Sequence, residues 1–539
     1  VAVADTKRDK GGIAGGLVKA TGIIGGLTLV SRFAGFARDM LLARILGAGL
    51  AADAFLVAQR LPNLFRRLFA EGAFSAAYVP MFSRKLHGQG GEAAAKRFSS
   101  EVLSLFLVVL LLFTAVLQFA MPWVVYAMAS GFRDVPGKFE LTVELTRLAF
   151  PYLLLISLVS LLTGILNSMS RFAAGAAAPI LFNLVLVVGL LVGAELRGPG
   201  GDDRIVAVCA AVAISVSGLV QFVWLLWAVK RAGFELRLRR PKLTPDVKEL
   251  GRIILPATFG AGIYQISIFI DTFFATSLPQ GSMSYLNFAD RLNQLPLGVI
   301  GIALGTAILP TLSRFIGSGD ADRASEVQAT AIELAMLLTL PAAFALAICA
   351  GPLVTAFYLG GKFTLADAQT TAAVLAALVS GLPAYVLVKV LTPGFFARKD
   401  TRTPVQIAAV VLGASILLNV VLIFVLDLGI VALAATAAAT SWLNCALLYG
   451  VLRARGHFRL PAALWWRLAR QLACAVAMAA LLLWLREALA DRFAGSTGDR
   501  LLGIGALVAG GMAVYFGLAW LTGAFDRAML HQLRRRRAA

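Results

Sequence analysis

Acidic residues, cysteine and histidine are all scarce in this chain of 539 residues, which has 29 Asp and Glu, 4 Cys and 3 His. The cysteines, Cys209, Cys349, Cys445 and Cys474, stand singly in apolar runs. That excludes a disulfide framework or a Cys-rich metal spacing and reads as small core residues. His87, His457 and His531 lie far apart in polar segments, so they supply no metal-ligand set. Charge of either sign makes up only 14% of the chain against 59% hydrophobic residues. A water-soluble chain of this length needs far more polar surface. Long polar stretches are lacking as well, so an aqueous catalytic domain has nowhere to sit. The expectation is an all-α polytopic membrane protein, a transporter and not an enzyme, with no cofactor.

What is present is a series of apolar runs near the length that crosses a bilayer, about fourteen of them. They fall near 20–47, 50–80, 100–122, 141–169, 176–196, 204–230, 251–278, 283–313, 328–350, 368–396, 404–426, 430–452, 469–489 and 501–524. The net charge of +20 collects in alternate connections: 84–97, 230–252, 398–402, 453–470 and the tail 534–537. The connections around Asp134, Asp202, Gly281 and Asp427 are poorer in positive charge, although Arg486, Arg492 and Arg500 weaken the alternation near the last hairpin. This is the positive-inside pattern, so the basic loops and both termini are expected in the cytoplasm of a bacterial cytoplasmic (inner) membrane. Contact with anionic membrane lipids accounts for most of the basicity, and nucleic acid is excluded as a partner.

A repeat is visible across about 230 residues. Arg60-Leu61 and Pro62 precede Pro80 and Arg84, as Arg291-Leu292 and Pro296 precede Pro310 and Arg314. Pro151 through Pro179 to Asn183 likewise resembles Pro383 through Pro404 to Asn419. The matches define two pseudo-symmetric lobes of six helices, 1–240 and 241–455, followed by a helix pair and basic tail at 456–539. Six is an even number, so the lobes share one orientation, a design used by transporters around a central site.

Six arginines, Arg32, Arg38, Arg44, Arg60, Arg66 and Arg67, fall inside the first two apolar runs, offset locally only by Asp39, Asp53 and Glu71. A charge at mid-bilayer costs at least about 3 kcal/mol, so such residues line a protein or water-filled interior. At 100° per residue Arg32 and Asp39 share one helix face, and Asp53, Arg60, Arg67 and Glu71 share another. Internal salt bridges that merely lock helices together are the alternative for any one of them, and Arg44 and Asp53 are placed to snorkel. Asp290-Arg291, Asp271 and Lys389 add charge to later runs, with Arg291 the counterpart of the first-lobe arginines. Arginine's planar fork makes bidentate bonds to phosphate and stays protonated, so a cluster of them reads as a diphosphate site in a central cationic cavity. Asp271, flanked by Gln265, Ser267 and Thr272, reads equally as a cation or proton site and as a packing residue.

At these residues the chain resembles the MurJ (MviN) lipid II flippases. The segments are SRFAGFARD at 31–39, GAGLAADAF at 47–55 and LPNLFRRLFAEGAFS at 61–75. In the second lobe they are ADRL at 289–292, GIALGTAILP at 301–310 and KVLTPGFFARKD at 389–400. The resemblance covers nearly the whole chain. It implies the fold of the multidrug/oligosaccharidyl-lipid/polysaccharide exporter superfamily, with a groove for a polyprenyl tail at the last two helices. It implies that Arg32, Arg38, Asp39, Arg66 and Arg291 line the cavity. Asp53, Asn63, Arg67, Glu71 and Lys389 complete the substrate-binding candidates, and Arg66 is preferred by the motif where the helical stripe prefers Arg67. It further implies a monovalent-cation site at Asp271 with Asn419, Thr436 and Thr440.

The expected activity is movement of the undecaprenyl-diphosphate-linked peptidoglycan precursor, lipid II, across the membrane by alternating access, coupled to a monovalent cation or the membrane potential. Cell-wall synthesis proteins are candidate partners. The alternatives are export of another polyprenyl-linked glycan or of a drug, a polyprenyl-phosphate glycosyltransferase, and a non-transporting scaffold. A drug pump for cations favours carboxylates and aromatics, and a glycosyltransferase needs catalytic carboxylates on a sizeable aqueous loop.

Overall fold

The computed structural model describes residues 2–67, 73–88 and 90–525. Glu71 and the basic run 534–537 lie outside them. The described chain is helical almost throughout, with one isolated bridge between Gly360 and Phe363. The first unit contains α1 (Ala2–Leu46), α2 (Leu50–Arg66), α3 (Ala73–His87), α4 (Gly91–Ala129), α5 (Lys138–Ala149), α6 (Tyr152–Ser168), α7 (Ala173–Arg197), α8 (Asp203–Arg231) and α9 (Pro245–Thr276). The second contains α10 (Ser282–Pro296), α11 (Ile302–Gly317), α12 (Ala321–Ile348), α13 (Ala350–Tyr358), α14 (Leu365–Val379), α15 (Leu382–Phe396), α16 (Arg402–Asn419), α17 (Gly429–Ala454), α18 (Ala462–Ala488), α19 (Ala490–Ala494) and α20 (Thr497–Leu521). The division between the two compact units falls after Met283.

Among the described residues, 10 helical stretches are long and apolar enough to cross a membrane. The four expected spans outside that set, 20–47, 50–80, 251–278 and 283–313, are helical along α1, α2 with α3, α9, and α10 with α11. They are the runs that carry the arginines, Asp271 and Asp290, or are broken near Pro62 and Pro296. Charge lowers their apolarity, and proline removes a helix hydrogen bond, which a membrane tolerates only where the freed groups find partners. Large apolar side chains such as Phe119, 77% exposed, and Val425, 70% exposed, stand on the outer surface of the long helices. Such faces are stable against lipid tails and not against water.

Within the first unit, α7 and α8 approach closely because α7 carries Gly189 and Gly193 where α8 crosses. A Cβ at Gly189 would fall 2.4 Å from the Ala213 Cβ, and one at Gly193 would fall 2.9 Å from the Val206 Cα. This is small-residue packing, which replaces the hydrophobic drive that lipid does not supply. Helix α1 packs on α7, α2 on α5, and α9 on α3 and α4. The seventh expected span is therefore grouped with the first unit by its packing. Phe74 and Phe106 stack at 4.9 Å, and the Tyr78 hydroxyl meets Ser99 Oγ at 2.6 Å beside them.

In the second unit, Val386, Val390 and Phe395 of α15 pack with Ile332 and Ala335 of α12 and Leu448 and Leu452 of α17. A second apolar cluster joins α12 to the terminal helices, through Leu337, Leu340, Met478, Leu482, Leu507 and Tyr515. A half-buried ion pair ties the same elements: Arg467 of α18 donates to the buried Glu333 of α12 at 2.9 Å. Cys349 and Cys474 are part of this core as free thiols.

Candidate functional site

The first unit holds most of the predicted charge, and it sorts those residues into different environments. On α1, Arg38 is buried and donates from Nε and Nη2 to a single oxygen of Asp39, at 2.9 and 2.6 Å. The helical stripe pairs Asp39 with Arg32 by face; the structure pairs it with its neighbour Arg38, whose long side chain curls back along the helix. Arg38 Nη1 donates to Asn183 Oδ1 of α7 at 3.0 Å. Arg32 is half-buried, and among the described residues it makes no hydrogen bond or ion pair. The two arginines of one motif thus differ: Arg38 is ion-paired and clamped, whereas Arg32 has no ion-pair partner among the described residues.

On α2 the expected stripe does not converge on one place. Asp53, in the first turn, is 1% exposed and accepts from Lys138 Nζ and from the Gly281 amide, both at 2.8 Å. Lys138 also lies over the Phe132 ring at 4.1 Å. Two turns along, Arg60 donates to Thr272 Oγ1 of α9 at 2.8 Å and interacts electrostatically with the adjacent Asp271. Asn63 accepts from Arg66 Nε at 3.2 Å, which holds Arg66 half-buried. Arg67 follows the last residue of α2 and is exposed, so of the two candidates Arg66 is the one drawn inward.

In the second unit, Arg291 and Asp290 lie half-buried on α10, where Gln294 donates to Asp290. Lys389 of α15 crosses the π-helical turn Leu297–Gly301, with its Cδ and Nζ each 3.2 Å from where a Gly301 Cβ would be. Asn419 ends α16 just before a second π-helical turn, Val420–Val425. Its side chain is fully buried, and neither amide atom has a hydrogen-bond partner among the described residues. Thr436 Oγ1 on α17 is buried and unpartnered in the same way, while Thr440 donates to the Thr436 carbonyl at 2.8 Å. Asp271 belongs to the first unit and these three to the second.

The segment at 389–400 ends in a polar knot outside the spans. Asp400 caps α16, accepting from the Thr403 hydroxyl at 2.6 Å and amide at 3.0 Å, and it pairs with Arg455 at 2.7 Å. The Thr403 bonds first, and then Arg455, hold the Asp400 carboxyl well below the usual carboxylate range. Burial pushes the His457 imidazole down, and the Arg398 and Arg455 charges add to the effect.

Sequence reasoning missed Lys138 and the Glu333–Arg467 pair, and it marked Asn183 only as a repeat position, without its contact with Arg38. Lys138 did carry a signal: a lysine in the first turn of a helix opposes the helix dipole and calls for an acidic partner. Among the described residues, no three His, Cys, Asp or Glu side chains gather as a metal site.

Long apolar helices with a lipid-compatible exterior, carrying guanidinium and carboxylate groups inside the first two spans, define a polytopic membrane transporter. The sequence profile of the family described as "Lipid II flippase MurJ" matches residues 42–498, and the chain belongs to that family. The "Probable lipid II flippase MurJ" of Rhizobium meliloti (strain 1021) is 40% identical over 530 residues, covering 97% of each chain. A solved structure, "Lipid II flippase MurJ, inward closed conformation", aligns with TM-score 0.74 at 22% identity, over 93% of this chain and 98% of that one. An inward-facing multidrug resistance MATE family transporter of the MOP superfamily aligns with TM-score 0.66 at 15% identity, over 81% of this chain and 98% of its own. At these identities both structures speak for the fold, which is the exporter fold expected from the sequence.

Proposed function

We propose that the chain is a lipid II flippase, which moves the undecaprenyl-diphosphate-linked disaccharide-peptide from the inner to the outer leaflet by alternating access. The observation that carries this is membership of the family along nearly its whole length. The arginines supply the chemistry. A diphosphate takes bidentate, charge-assisted bonds from guanidinium groups, and Arg32, which has no counter-ion among the described residues, is the first group available to it. Arg66 and Arg291 would contribute further guanidinium groups. Bound anion cancels the cationic charge and favours closure around the headgroup. Release restores that charge, and an inside-negative potential favours its return by about 2.3 kcal/mol per charge per 100 mV. No bond of the substrate is made or broken.

Orientation follows from the basic connections, which suit the cytoplasmic side of a bacterial cytoplasmic membrane with both termini on that side. A monovalent cation is the proposed coupling ion. Among the described residues Asn419, beside a π-helical break, and Thr436, on α17, offer buried, unsatisfied neutral oxygens, and helix breaks are the kind of place where transporters bind such ions. When bound, the cation would supply a fixed charge that biases one conformation. Transport assayed in sodium against potassium, with wild type and Asn419→Ala, tests this: an ion preference lost in the variant supports it.

The flippase reading is tested by complementation of a flippase-depleted bacterium with Arg32→Ala and Arg291→Ala at matched membrane abundance. Retention of lipid-linked precursor on the inner leaflet is expected. Normal externalisation by both variants would overturn the arginine mechanism and favour a scaffold.

A further inference from the structure

The repeat singled out Asn183 and Asn419 as equivalent positions, yet their surroundings differ. Asn419 has no hydrogen-bond partner among the described residues, while both amide atoms of Asn183 are engaged. Asn183 Nδ2 donates to the Ser31 carbonyl of α1 at 3.1 Å and to the Pro179 carbonyl of its own helix at 3.0 Å. Two carbonyls on the nitrogen fix the amide orientation, because the oxygen cannot face them. Oδ1 is therefore turned toward the guanidinium of Arg38, which it meets at 3.0 Å. Phe182, the preceding residue, places its ring 5.7 Å from Arg38 Cζ. Adjacent residues of α7 thus bracket one arginine of α1 from two sides.

Arg38 needs such a bracket. Adjacent residues on a helix diverge by 100°, so Arg38 reaches Asp39 only by bending over the helix surface. Nε and Nη2 share one Asp39 oxygen, which leaves Nη1 to swing unless something holds it. Among the described residues the only hydrogen bond that Nη1 makes is the one it donates to Asn183 Oδ1. Three of the five guanidinium N–H groups are engaged in this way, and two are left for an incoming oxyanion.

We infer that Asn183 is a positioning residue, which orients the Arg38 guanidinium so that its remaining N–H groups present to the diphosphate of the lipid substrate. This inference rests on the proposed flippase reading. A role confined to joining α1 and α7 would act through helix packing and would be blind to ligand charge. A role through Arg38 acts on the phosphate group alone.

The test uses the purified full-length chain in nanodiscs, with undecaprenyl diphosphate and uncharged undecaprenol as probes. In wild type the diphosphate should bind more tightly than the alcohol. Asn183→Leu should reduce that preference about tenfold, the size of one charge-assisted hydrogen bond, and leave undecaprenol binding unchanged. In Arg38→Lys, which keeps a cation beside Asp39, the further change Asn183→Leu should alter the preference less than about twofold. Equal weakening of both probes, or equal loss with and without Arg38→Lys, overturns the positioning role in favour of packing. An unchanged preference in Asn183→Leu overturns it outright. A wild type that does not distinguish diphosphate from alcohol fails at the flippase reading itself, and the inference falls with it.

Discussion

The Lys138 ammonium lies 2.8 Å from the Asp53 carboxylate, and both side chains are sealed from solvent. Asp53 opens α2 and Lys138 opens α5, so one ion pair pins the starts of two packed helices. The Gly281 amide joins the same carboxylate oxygen and draws the turn after α9 to them. A pair this deep is costly to assemble and more costly to break from one side.

Removing one partner should therefore be severe. Lys138→Met is expected to destabilise the protein by roughly 3–5 kcal/mol, because Asp53 is left charged and buried. Lys138→Met with Asp53→Leu should recover much of that loss. Thermal unfolding in detergent reads both, and a double variant no more stable than Lys138→Met would argue against the pair as the cause.

The glycines of α7 give a second contrast. Gly189→Val should force α7 from α8 and cost about 1–3 kcal/mol, since a Cβ there already falls 2.4 Å from Ala213. Gly35 sits in the family motif on α1, but a Cβ there would lie 3.5 Å from Asn183, an ordinary contact. Gly35→Ala is accordingly expected to be neutral. A melting-temperature comparison of the two variants checks this, and equal losses would contradict it.

How far the sequence could be read follows from the range of each interaction. Helix length and apolarity are local, so the ten apolar spans are legible residue by residue. The four charged spans were visible only as apolar runs with intrusions, and the intrusions marked the part that matters. The pairing of charges was not legible, because an ion pair depends on which helices meet. Helical phase joins Arg32 to Asp39, while the folded chain joins Asp39 to Arg38 and Asp53 to Lys138. Lys138 lies 85 residues from its partner, in a segment that reads as a polar loop. Asn183 was visible as a repeat position, but its contact with Arg38 spans 145 residues.

Outside the spans, His457 gives the protein a pH dependence with a definite sign. Its pKa in the fold is lowered, by burial first and then by Arg398 and Arg455, so the unfolded chain binds the proton more readily. The stability it contributes is present above the unfolded value of about 6.5 and is lost as the pH falls through that value toward the folded one. Asp400 is also depressed, but as a carboxylate its stabilising effect fades only below about pH 4. Between pH 7.5 and 5.5, then, the acid-side loss of melting temperature should be smaller in His457→Gln than in wild type. Parallel profiles for the two proteins would show that another group controls this window.

Arg32 and Arg38 stand six residues apart in one motif, and their environments assign them different losses on substitution. Arg38→Ala takes the guanidinium from the Asp39 carboxylate, which is 1% exposed, so stability should fall by roughly 3–5 kcal/mol together with transport. Arg32 has no partner among the described residues, so Arg32→Ala removes no bond to them and should stay within about 0.5 kcal/mol of wild type. Its cost should fall on transport alone, through a weaker hold on the diphosphate. Melting temperature measured beside externalisation of the lipid-linked precursor separates the two. If Arg32→Ala proved as unstable as Arg38→Ala, its charge would be structural, and the first anion contact would have to come from another arginine, with Arg66 the next candidate.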